Sequence, residues 1–206
     1  MSLTVAIDRF QSVQDDRSWQ TDSFPCPIGL FRIIVEGTLL YKAQHDREKA
    51  DLDVLARALK LVDDAKLMVA SLVEVAIQPR SRLELAYGNA IILYLSALFR
   101  LEGYCGPESR LMAQGIIQHA KAMPSATAWS YSMSWPLYQA GLYLDEKCLA
   151  EREWLASHFK STLSANGCCQ VGRALEVLQA IWRDERDDFV WNSIEAGSQK
   201  RFLLLV

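Results

Sequence analysis

His119, Tyr131, Asp145 and Arg152 are the side chains in this 206-residue chain best suited to hold or move a proton. Met112, Ile116, His119 and Met123 recur at intervals of four, three and four, which puts an imidazole on an apolar helical face. Burial there disfavours the charged ring and leaves a neutral one able to donate or accept. A histidine in that setting serves equally as a satisfied core residue. Tyr131 adds a hydroxyl, Asp145 a carboxylate and Arg152 a guanidinium. Such a set suits chemistry guided by shape, such as cyclisation, cycloaddition, dehydration or isomerisation, which needs positioning and one or two proton donors or acceptors. These four are catalytic candidates on the condition that the chain is an enzyme, and no cofactor is implied.

A second set of residues suits binding. The stretch Trp129–Trp154 places Trp129, Tyr131, Trp135, Tyr138, Tyr143 and Trp154 close together. Rings of this size bury large areas and carry polar tips that need partners. They form either the girdle of a core or the wall of an apolar site. As a wall, the binding candidates are Trp129, Trp135 and Tyr138, joined by Tyr94 and Asn89 from the preceding apolar segment, and the ligand is an apolar small molecule of polyketide, terpenoid or sterol type.

Other chemistry has no support. The chain lacks a Gly-x-Ser-x-Gly elbow, a His-Glu-x-x-His pair, a phosphate loop and a dinucleotide fingerprint. Of its three histidines, His45 lies in a charged run and His158 one turn beyond Trp154. The five cysteines are irregularly spaced with no Cys-x-x-Cys, which points to reduced intracellular thiols and no metal site. Net charge is −3, and Lys and Arg form no basic stripe, so direct nucleic-acid binding lacks an electrostatic footing. The acidic N-terminus is not a signal peptide, and no apolar run is long enough for a membrane span.

The elements that must position these residues all carry helical periodicity. Residues 1–24 form an irregular arm with one short helix near 7–13, and residues 25–206 a single helical domain. Pro27 launches a helix running to about His45 through Leu30, Ile33, Ile34, Leu40 and Tyr41. A second begins near Asp51 and presents Leu52, Leu55, Leu59, Val62, Val69, Val73 and Ala76 until Gln78-Pro79 stops it; Asp63-Asp64 is a candidate break. Leu83–Leu101 is apolar nearly all round and predicts a central helix, inside which Asn89 needs hydrogen-bond partners. Gly103 and Gly106-Pro107 predict a loop before the His119 helix. Pro136 suits a first helical turn and biases Trp135 out of the helix. Asp145 is a cap for an amphipathic helix carrying Leu155, Phe159 and Leu163, which Asn166-Gly167 ends. Val171, Leu175, Leu178 and Trp182 mark another. The charged run at 183–188 precedes a short helix over 189–196 and an apolar tail, RFLLLV, that docks on the core. No strand alternation occurs. The fold class is all-α, an irregular bundle of seven to nine helices around one buried apolar helix.

Three stretches together resemble the C-terminal regulatory domain of fungal Zn2Cys6 transcription factors. LAYGNAIILYL (85–95) is similar to a family helix ending in Leu-Tyr-Leu. Residues 123–154 resemble its Trp-Pro-Leu segment, Ala-Gly pair, acidic patch, Arg and Trp, here Trp135, Pro136, Leu137, Ala140, Gly141, Arg152 and Trp154. Residues 174–206 supply Trp182, a charged run, Trp191 and an apolar end. The resemblance implies an all-helical domain that senses small molecules, contacts coregulators or holds a factor inactive. The family's DNA reader needs six cysteines in two clusters, whereas the first hundred residues here hold only Cys26. The expectation is therefore a domain that does not itself bind DNA, either excised from a regulator or free-standing. The first reading is a small-molecule-binding or regulatory domain, nuclear or cytoplasmic. The alternative is a cofactor-independent enzyme of fungal secondary metabolism. The long amphipathic helix and apolar tail also make a homodimer conceivable.

Overall fold

The computed structural model describes residues 26–45, 52–73, 79–123 and 132–183. Seven α-helices and no strand occur among them: α1 (Ile28–His45), α2 (Leu52–Val73), α3 (Pro79–Leu98), α4 (Glu102–Lys121), α5 (Ser134–Gly141), α6 (Leu149–Asn166) and α7 (Cys169–Arg183). A single 3-10 turn, Glu146–Cys148, leads into α6. The N-terminal arm, Trp129, Tyr131, the short 189–196 helix and the RFLLLV tail lie outside the described residues.

The apolar segment is the centre of the bundle, as its composition requires. Fourteen residues of α3 are buried, among them Leu83, Ile91, Ile92 and Leu95. The helix packs against α1, α2, α4 and α5, and its contact with α4 is the most extensive in the bundle. Helices α6 and α7 pair with each other and close over α5. One core runs through all seven, from Leu30 and Val62 to Phe159 and Leu178. No described helix is long and apolar enough to cross a membrane.

Several boundaries differ from the sequence expectation, each for a local reason. Pro79 is the first residue of α3, where its missing N–H matters least, so α3 starts four residues before Leu83. At the other end α3 stops at Leu98, because Arg100 adopts a left-handed φ of 55°. The Leu101 N–H bonds Ser96 O at 2.8 Å and the Arg100 N–H bonds Ala97 O at 3.2 Å, a Schellman closure. Arg100 thus makes the turn assigned to Gly103 and Gly106-Pro107, and α4 begins directly at Glu102. Trp135 is helical despite preceding Pro136, which sits in the first turn of α5.

Helix α2 is continuous through Asp63-Asp64; of the expected stripe Val62 is buried and Leu59 and Val69 pack on the core, but its first turns bury other residues. Val54, Ala58, Leu61, Val62 and Ala65 face the core, while Leu52 is 82% and Leu55 40% exposed. At Gly88 of α3 a β-carbon would lie 2.3 Å from Val69 Cγ2, so only glycine admits α2 at this distance. Gly167, at φ 65°, closes α6 as expected, its N–H bonding Leu163 O at 2.8 Å.

Candidate functional site

The two sides of α3 carry two separate groups of candidate residues. Tyr87 and Tyr94 share one side, a spacing of seven that keeps them in line. Trp135, from α5, stacks on Tyr87 with centroids 5.7 Å apart and an interplanar angle of 22°. It meets Tyr94 edge-on at 6.1 Å. The phenol tips are occupied within the protein. Tyr87 donates to Ser132 O at 3.0 Å. The Thr38 hydroxyl donates to Ile34 O at 2.8 Å, so the Tyr94 hydroxyl, 3.0 Å from Thr38 Oγ1, is the donor in that pair. Tyr143 donates to Leu93 O at 2.8 Å. Burial pushes the Tyr87 and Tyr94 phenols above their ordinary pKa. Tyr138, one turn after Trp135, is pushed up to about 12 by burial and makes no hydrogen bond among the described residues.

Arg152, Trp182 and Gly141 form a clasp where α5, α6 and α7 meet. The guanidinium donates to Leu144 O through Nε at 3.1 Å and Nη2 at 2.6 Å. Its Nη1 reaches Trp182 O at 3.5 Å, and its Cζ lies 5.5 Å from the Trp182 ring centroid. The Trp182 indole N–H in turn donates to Gly141 O at 2.9 Å. The clasp therefore satisfies carbonyls at the ends of α5 and α7, where helices leave them unpaired and where a cation is favoured. Asp145 caps the 3-10 turn by accepting from the Lys147 N–H at 3.0 Å and pairs with Arg110 at 2.8 Å. Lost hydration raises its pKa, but the Cys148 thiol, Arg110 and the Lys147 N–H outweigh that, and the carboxyl titrates below the usual range.

The other side of α3 is different. Arg82 and Asn89 are two helical turns apart and in line with each other, roughly 140° round the helix from Tyr87 and Tyr94. They face α4. A β-carbon at Gly115 would meet only Asn89 Nδ2, at 4.0 Å, which leaves room at this point of the seam. His119 follows Gly115 by one turn. Its Nδ1 is buried with no hydrogen-bond partner among the described residues. Burial, and then the positive charge of Arg82, hold its pKa below the ordinary value, so the ring is neutral at pH 7. Half-buried Arg82 and Asn89 make neither an ion pair nor a side-chain hydrogen bond among the described residues. Asn89 thus meets α4 at Gly115, the Arg82 charge reaches His119, and His119 Nδ1 is the buried atom of this group that has no partner among the described residues.

The sequence profile of the fungal specific transcription factor domain matches residues 4–204. The chain belongs to that family. Neither the curated proteins nor the solved structures contain a significant match. Within this domain, the family-pattern residues Gly141 and Arg152 meet Trp182 in the clasp, and Trp135 joins the ring cluster. His119, a catalytic candidate, and Asn89, a binding candidate, lie on the facing helices α4 and α3, whereas Trp135 and Tyr94 meet on another side of α3. Arg152 and Asp145 are both engaged in holding helix ends. Among the described residues no group of three His, Cys, Asp or Glu could hold a metal ion.

Arg82 is the functional candidate that sequence reasoning missed. Its signal was the spacing of seven to Asn89, two polar residues in line on an otherwise apolar segment. Starting the helix at Leu83 concealed it.

Proposed function

We propose that this domain is a regulatory unit whose state responds to a small molecule lodged at the seam of α3 and α4. The observation that carries the reading is the convergence of Arg82, Asn89 and the unpartnered His119 Nδ1. Buried polar groups without partners are costly, and a ligand that supplies partners stabilises the folded chain. Membership of a transcription-factor family supports a regulatory role and a nuclear site of action. A net charge of −3 without a basic stripe supports a sensor that leaves DNA contact to another module. The residues bordering the seam, Ile116 and Ala120 of α4 and Ala86 and Leu93 of α3, are apolar, which suits the body of an apolar ligand.

A thermal-shift screen of the whole chain against polyketides, terpenoids and sterols tests this. A ligand at about 100 times its Kd should stabilise the fold by about 2.7 kcal/mol. Replacing His119 with Leu should abolish that gain without lowering the unliganded melting temperature by a comparable amount. No stabilisation by any apolar metabolite, or full stabilisation retained in His119→Leu, would count against the seam as the site.

A further inference from the structure

We infer that the seam recognises its ligand by a carboxylate, so that the small molecule is an apolar acid with its anionic end between Arg82, Asn89 and His119. This rests on the seam reading above and names the class of molecule it takes.

Arg82 offers a planar fork of donors that fits a carboxylate in bidentate fashion. The charge has no counter-ion among the described residues, so an arriving anion meets an uncompensated guanidinium. Asn89 Nδ2, turned toward Gly115, adds two N–H donors. His119 places one ring nitrogen in the same seam without a protein partner. These groups provide donors and positive potential, and Glu84, the carboxylate of α3, is paired with Arg80 instead. Of the elements packed on α4, α5 carries no charged residue, α3 brings Arg82, and α6 meets the end of α4 at Trp154 and His158, with Lys121 Nζ 5.3 Å from the Trp154 ring centroid. Arg82 is the charge that acts on His119. A neutral ligand would leave Arg82 without a counter-charge, whereas a carboxylate satisfies all three groups.

The bound anion must also change His119. A negative charge beside the imidazole favours the protonated ring, so binding raises a titration midpoint that Arg82 and burial hold down in the free protein. By linkage, affinity for the acid strengthens as pH falls toward that midpoint.

The test follows the His119 ring resonances of the full chain by NMR, assigned with His119→Gln. Decanoate and benzoate, their neutral amides, and inorganic phosphate are added separately across a pH series. Saturable binding of the acids with an upward move of the His119 midpoint is expected, with the amides at least about tenfold weaker. Arg82→Met should remove that preference, lowering affinity for the acids about tenfold and leaving the amides unchanged. Should that variant not fold, Arg82→Lys keeps the charge, loses the fork, and should weaken the acids by a smaller factor. Amides that bind as tightly as acids and perturb His119 as strongly would overturn the carboxylate while sparing the seam reading. Phosphate binding without either acid, or acid binding that leaves His119 unmoved, would overturn the inference. Silence of His119 toward every probe would overturn both.

Discussion

Replacing Arg152 with Leu separates two roles for this residue, a catalytic one suggested by sequence and a structural one suggested by geometry. The guanidinium donates twice to Leu144 O and stands over the Trp182 ring. Leu144 is buried, so its carbonyl has no ready substitute in water. A charge-assisted contact of this kind contributes about 1.5–3 kcal/mol. The cation–π contact adds about 0.5–1 kcal/mol, and the 3.5 Å approach to Trp182 O adds little. Arg152→Leu should therefore destabilise the chain by about 3 kcal/mol. For a chain of this size that lowers Tm by about 6–12 °C. Arg152→Lys retains one charged donor without the fork and should lose about half as much. Paired with Trp182→Phe, which removes the N–H to Gly141 O and part of the ring under Arg152, the two changes should be non-additive by about 0.5–1.5 kcal/mol, since both act on one joint. Urea unfolding followed by circular dichroism measures each value. A loss below about 1 kcal/mol for Arg152→Leu, or strict additivity with Trp182→Phe, would refute the clasp.

Stability should be flat above about pH 6.5 and fall below it, because burial depresses both His119 and His158 and the unfolded chain takes up protons first; the slope is at most about 1.4 kcal/mol per pH unit for each histidine. Chemical unfolding at a series of pH values checks this, and His119→Gln with His158→Gln should flatten the curve. Gly88→Ala should cost about 1–3 kcal/mol by pushing Val69 out of its packing, and Val69→Ala in the same chain should recover most of that; an unchanged urea midpoint in the single variant would show that α2 is free to shift. Trp135→Ala should lower stability by about 3 kcal/mol through the loss of its contacts with Tyr87 and Tyr94, while leaving the affinity of a seam ligand unaltered; calorimetry on the folded variant distinguishes the two effects.

Much of this fold is legible in the sequence because it depends on local periodicity. A segment as apolar as 83–98 has to be enclosed, and α3 is the centre of the bundle. Pro27 and Gly167 mark helix ends through their own backbone preferences, and the structure uses both so, whereas Asp145 caps the 3-10 turn before α6 and not α6 itself. The family resemblance was likewise carried by residues in fixed order, from Trp135 to Trp154. What periodicity could not give was the choice between competing stripes. In the first turns of α2 the period of Leu52 and Leu55 competes with that of Val54 and Ala58, and only packing decides that the second pair is buried. Nor could it show that Arg100 takes a left-handed turn, since arginine has no intrinsic preference for one. The candidate site depended most on tertiary structure. His119 and Asn89 lie on different helices, and their meeting, like the separation of Trp135 from both, follows from how α4 and α5 are set against two sides of α3. Sequence fixes the face a residue occupies on its own helix, whereas the partner that face meets is set by long-range packing.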